Sequence, residues 1–212
     1  MRYLEQKRAI DVTISLLVLI LLAPLFLLLA ILIKFDSKGP ILFKQRRVGR
    51  DETLFWMYKF RTMHEDTPQD VPTHLFEHSA RHITRSGAFL RKSSLDELPQ
   101  LFNIIKGDMA LVGPRPALWN QYDLIEARHR QGVHPVRPGL TGWAQVKGRD
   151  ELPIEVKATY DGAYVRQMSH RLDLLCLLLT VRNVLLRKGI VEGSVPLEVP
   201  LEEKKMTHVA KE

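Results

Sequence analysis

Val12–Ile33 reads VTISLLVLILLAPLFLLLAILI, a stretch without charge that only Thr13, Ser15 and Pro24 interrupt. A straight helix of this length would reach ~33 Å at about 1.5 Å per residue, enough for a hydrocarbon core. Pro24 argues against a straight one, because it has no N–H to offer the carbonyl of Ile20 and crowds that turn. Basic residues flank both ends: Arg2, Lys7 and Arg8 before, then Lys34, Lys38, Lys44, Arg46 and Arg47 after. Lys and Arg favour the cytoplasmic side of a bilayer, so both flanks are drawn to one face. Two readings stand: a kinked transmembrane helix, or one that bends at Pro24 and leaves by the leaflet it entered. The run is too long for a cleaved signal peptide, and no small-x-small site follows it.

The 212 residues suffice for one core-bearing domain attached to this anchor. Lys and Arg number 31 against 24 acids, a net charge of +7. That balance suits a polyanionic partner: nucleic acid, an anionic membrane surface or a phosphorylated substrate. No helix-turn-helix, zinc-finger or RNA-binding pattern accompanies the charge, so nucleic acid is set aside. The single cysteine, Cys176 in LDLLCLLLT, excludes an intrachain disulfide and reads as a buried small hydrophobe.

Beyond the anchor, PILFKQRRVG and TLFWMYKFRTM flank the turn-like GRDE and predict a β-hairpin. Period two places Lys59 and Arg61 on one strand face, a pair able to grip a phosphate or simply to meet solvent. His74, His78 and His82 recur every four residues, a spacing zinc could use. No matched Cys, Asp or Glu completes a set, so His64–His82 is expected to be a pH-sensitive surface segment. Helices are expected after Gly87, over Leu118–Arg130, over Ile154–Gln167 and over Leu172–Leu186. The last could lie on a membrane face or in the core. The boundaries are an apolar anchor over 1–36, a polar mixed domain over 37–190 and a poorly ordered tail over 191–212.

SSLDELPQLFNIIKGDM, Ser93–Met109, sets two acids before an amphipathic helix. Ser94-x-x-Glu97 fits a capping box, although Pro99 would then fall past the first turn, and a start nearer Asp96 is also reasonable. Leu98, Leu101, Phe102 and Ile105 mark the expected inward face, with Gly107 as the stop. The surroundings point past capping. Arg91 and Lys92 precede the acids, while Arg115 in GPRP and Arg137 in VRPG sit on stiffened turns. Guanidinium groups so held suit phosphate, and acids beside them suit a magnesium diphosphate.

YKFRTM, LRKSSLDELPQLFNIIKGDMALVGPRP and VRPGLTGWAQVKGR together resemble the monotopic phosphoglycosyl transferases, the bacterial sugar transferases that load polyprenyl phosphate. The likeness runs from about Lys7 to Gly189 and corresponds to the family's small catalytic unit, without the multi-span amino-terminal domain of larger relatives. It implies an α-helical-rich monotopic membrane protein with a small β-hairpin. A re-entrant helix would break at Pro24, with Ala23 where relatives often carry serine. It also places the protein at the bacterial inner membrane, its catalytic domain on the cytoplasmic side.

The reaction so implied moves a sugar phosphate from a UDP-sugar donor to polyprenyl phosphate and releases UMP. Asp96 would be the nucleophile and a ligand of Mg2+, with Glu97 completing the dyad. Matching positions mark Lys59, Arg91, Arg115, Arg137 and Asp161 for the substrate site. Arg91 and Arg115 are expected on the diphosphate, Arg137 on nucleotide or phosphate, and Asp161 in support of the cluster. Two alternatives stay open: a single displacement with Asp96 only a metal ligand, and a membrane-tethered binding protein without catalysis. Membrane lipids are expected partners, and a homodimer is possible through amphipathic surface helices.

Overall fold

A computed structural model describes residues 2–67, 79–148 and 152–186. His74, His78 and the expected tail over 191–212 lie outside the described residues. The apolar stretch forms α1 (Arg2–Leu21) and α2 (Ala23–Asp36), which meet at Leu22 with a bend of 64°. Pro24 occupies the first turn of α2, where its missing N–H costs nothing, so the proline starts a helix instead of bending one. Among the described residues no single helix is long and apolar enough to cross a membrane; the bent pair passes that test only together.

The hairpin forms as expected, with β1 (Leu42–Val48) antiparallel to β2 (Leu54–Phe60) and Lys44 opposite Tyr58. A 3₁₀ turn at Arg50–Glu52 joins them, and Asp51 and Glu52 both take left-handed φ. α3 (Arg85–Ser93), α4 (Gln100–Lys106), α5 (Tyr122–Arg130), α6 (Trp143–Gly148), α7 (Ile154–Gln167) and α8 (His170–Leu185) complete the helices. The bounds of α7 fall where the sequence predicted. α5 starts four residues after Leu118, because Leu118 bridges to Arg47 and Val48 N–H donates to the Ala117 carbonyl at 3.0 Å.

One pairing had no local signature. β3 (Ala110–Val112) lies parallel to β4 (Gly139–Thr141), bringing GPRP against RPGLTG. The backbones touch: a Cβ on Gly139 would sit 2.1 Å from Gly113 N, and one on Gly142 2.0 Å from Gly113 O. Only glycine permits that approach.

Phe55, Met57, Leu101, Ile104, Met109 and Val112 centre the main core, between hairpin, α4 and β3. Cys176 joins it, and burial pushes its thiol up to about 11, as expected of an inert apolar filler. α8 divides its faces: Cys176 is buried while Leu174, Leu178, Val181 and Leu185 are exposed. Two of the basic flanking residues are engaged inside the fold. Lys7 meets Asp173 at 3.0 Å and Asp11 at 3.5 Å, while Arg8 donates to the carbonyls of Ile104 and Ile105 at the end of α4. They therefore fasten α1 to the domain as well as adding charge beside it.

Candidate active site

Ser94 does not cap α4. It takes φ 57° and ψ 17°, ends α3 in the left-handed conformation and makes no side-chain cap bond. Asp96 and Glu97 sit in a single 3₁₀ turn (Leu95–Glu97), and α4 begins after Pro99, which occupies the N-cap position. This corrects the capping-box expectation, and the physical reason is Pro99, which has no N–H for an earlier helical register. The later start also turns Phe102 outward and Asn103 and Ile104 inward. Phe102 packs edge-on against Phe26 of α2.

The two carboxylates differ in what holds them. Glu97 accepts from Lys59 Nζ at 2.9 Å and from Arg115 at 2.6 and 3.3 Å. Burial alone would raise its carboxyl, but Arg115 and then Lys59 overcome this and hold it well below the ordinary carboxylate range. Asp96 is 9% exposed, and among the described residues no group donates a hydrogen bond to its carboxylate. Burial pushes its carboxyl up, Glu97 adds to this, and Lys59, Arg91 and Arg115 offset part of it.

Three supports arrange these groups. Asn103, fully buried on α4, accepts from Tyr58 N–H at 3.0 Å and donates to the Trp56 carbonyl at 2.7 Å. Its amide thus bonds β2 as another strand would, and sets Lys59 beside Glu97. Arg47 donates to the Pro116 carbonyl at 3.0 Å and ties the loop carrying Arg115 to the hairpin. Arg91 Nε donates to Thr62 Oγ1 at 2.9 Å, just past β2. Sequence reasoning missed Asn103. No signal in the sequence marked it, because the expected inward face ran through Phe102 and Ile105 instead of Asn103 and Ile104.

Lys59, Arg91, Asp96, Glu97 and Arg115 line one cavity of about 1040 Å³, whose walls also include Arg128, Lys157 and Asp161. Ligand sites of ~300–1,000 Å³ hold drug-sized molecules, so the space suits a large polar substrate. Asp161 enters the wall paired: Arg128 Nη2 and Nε reach its Oδ2 at 2.6 and 2.9 Å, and both side chains are buried. Arg128 was not singled out from sequence, since nothing local distinguishes it from its neighbours on α5. Tyr164, on the same α7 face as Asp161, turns instead to the Val112 carbonyl and Asp173.

Arg137 does not line this cavity. Its Nε donates to the Gly107 carbonyl at 2.8 Å, so Arg8 and Arg137 together satisfy carbonyls at the end of α4. Through Nε, the stiff VRPG turn thus serves a helix end. Arg61 lines the same cavity as Lys59 but has different partners. It leaves β2 and donates to the Ser37 carbonyl at 2.7 Å and to Ser37 Oγ at 2.9 Å, closing the end of α2.

The model of the bacterial sugar transferase family matches residues 2–187. The chain belongs to that family. It is 40% identical over 184 residues to the sugar transferase EpsL of Bacillus subtilis, covering 87% of this chain and 89% of the relative. It is also 40% identical to the undecaprenyl-phosphate glucose phosphotransferase of Komagataeibacter xylinus, and 39% to an undecaprenyl-phosphate N-acetylgalactosaminephosphotransferase of Aeromonas hydrophila. Each match takes in 84% of this chain, which spans only 35% and 43% of those longer relatives. The matched range holds the dyad, its cations and the bent helix pair α1–α2.

Proposed function

We propose that this family member transfers a sugar 1-phosphate from a UDP-sugar to polyprenyl phosphate, releasing UMP, with Asp96 as a covalent nucleophile. One observation carries the reading. Asp96 is a buried carboxylate in a cation-lined cavity and accepts no hydrogen bond from the described residues, whereas neighbouring Glu97 is bound by Lys59 and Arg115. A carboxylate without a partner keeps its lone pairs for a reaction.

In the first displacement an Asp96 oxygen bonds the sugar-bearing phosphorus, the phosphoanhydride bond breaks, and its electron pair leaves with UMP. In the second, an oxygen of polyprenyl phosphate attacks that phosphorus, and the acyl phosphate bond returns its pair to Asp96. Arg91 and Arg115 offset the charge of the diphosphate, and Glu97 keeps Lys59 and Arg115 in place. Magnesium fits the donor chemistry, because it takes one or two carboxylates together with phosphate oxygens and Asp96 has oxygens to give. Asp96 would hold the ion, whose charge would mask the diphosphate when bound.

The anchor is read as re-entrant at the cytoplasmic face of the bacterial inner membrane. In support, α1 and α2 meet at 64°, and Leu17, Ile20, Leu21, Leu27 and Phe35 near the bend and at the end of α2 are exposed apolar side chains. Single cysteines at Arg2 and Ser37 should both react with a reagent supplied from the cytoplasmic side; labelling of one from each side would establish a span.

The covalent step has a direct test. Protein treated with UDP-sugar should carry a phosphosugar on Asp96 by mass spectrometry, and labelled UMP should exchange into UDP-sugar without lipid acceptor. Turnover with neither adduct nor exchange would leave Asp96 as a metal ligand in a single displacement.

A further inference from the structure

Glu52, His129 and His134 converge away from the dyad, where the hairpin tip meets the end of α5. Glu52 Oε1 lies 2.9 Å from His129 Nδ1 and 3.7 Å from His134 Nε2. One possible ligand atom from each residue falls within 4.8 Å of the others. Three parts of the fold make this meeting. His129 sits in the last turn of α5, the chain reverses at Gly132 with φ 68°, and Val133 N–H donates back to the Arg128 carbonyl at 3.1 Å. Asp51 N–H then donates to the His134 carbonyl at 2.7 Å, pinning the hairpin turn against the reversal.

We propose that these three side chains bind a divalent transition ion of the zinc type, which clips the β1–β2 turn to α5. Zinc bonds of ~2.0–2.1 Å in a tetrahedron put ligands about 3.3 Å apart, within the range found here. Two imidazoles and one carboxylate select zinc or nickel over magnesium or calcium, which require oxygen. Asp51 borders the same hollow and balances Arg50 at 3.1 Å, and water can complete the ligand set. His134 Nε2 lies 3.0 Å from the Ile125 carbonyl, so binding through this atom exchanges that bond for the metal and releases its proton. The inference is independent of the reaction proposed above, because none of the three residues lines the large cavity.

The test uses the full chain, tag-free and chelator-stripped, in detergent micelles. Titration with zinc chloride should saturate at one ion per chain, unaffected by excess magnesium. Cobalt(II) should give the visible absorption of a four-coordinate site. His129→Ala, a change at an exposed side chain, and His134→Ala should each weaken zinc binding by about tenfold or more and abolish the cobalt band. Glu52→Gln should weaken it while leaving the fold intact by circular dichroism. Absence of saturable zinc binding in the unaltered chain would overturn the proposal. So would undiminished binding in both histidine variants, which would assign the ion to other histidines.

Discussion

Lys59 Nζ and Glu97 Oε1 stand 2.9 Å apart, and the same oxygen accepts from Arg115 at 2.6 Å. One carboxylate is therefore bonded to two cations, from the hairpin and from the GPRP loop, while adjacent Asp96 makes no ion pair of its own among the described residues. The dyad is asymmetric, and that asymmetry has measurable consequences.

Asp96→Asn should abolish adduct formation and lower turnover by about 10³-fold or more. It should also raise thermal stability. The folded carboxyl is pushed above its unfolded value, chiefly by burial, so the native state binds the proton more tightly and stability falls as pH rises through that interval. Near neutral pH the buried charge is a net cost, which the neutral amide avoids. A melting temperature that drops in this variant would contradict the burial argument.

The nucleophile must be anionic, so kcat/KM should rise with pH through an inflection above the ordinary aspartate range. Glu97→Gln removes the anion that helps raise Asp96 and leaves Lys59 and Arg115 to lower it. The acid limb of the residual activity should therefore move to lower pH. Stability should fall by about 2 kcal/mol, because two partly buried cations lose their anion. The pH profile and a denaturant midpoint measure the two effects separately.

Arg128→Met should destabilise the fold by about 3 kcal/mol, since it leaves Asp161 buried without a cation. The double change with Asp161→Leu should recover much of that loss while remaining poorly active, because the cavity wall has lost its charged pair. Chemical denaturation and UMP release distinguish the pair's structural role from its place in the cavity.

Asn103→Ala removes both bonds to β2 and should cost about 2 kcal/mol. Lys59 then loses its fixed register opposite Glu97, so kcat should fall further than the lost stability alone explains at temperatures where the variant stays folded. Activity that merely follows the folded fraction would reduce Asn103 to a packing residue.

The sequence alone determined the elements whose signals are local. The apolar run with Pro24 marked the break between α1 and α2, alternation around GRDE marked the hairpin, and α7 began and ended where predicted. The linked motifs marked the family, because their residue types are read in order along the chain. Tertiary structure alone decided how those residues act. Arg137 and Arg115 each precede a proline in a stiff turn, yet one closes α4 and the other binds Glu97, because β3 and β4 pair in parallel and fix where each turn points. Asp96 and Glu97 are neighbours in sequence, but Lys59 and Arg115, 38 and 18 residues from Glu97, separate their charge states. Arg128 and Asn103 acquire their roles from partners 33 and 45–47 residues away. Helix and strand signals arise over a few residues, whereas burial and ion pairing depend on chain segments that meet only in the folded protein.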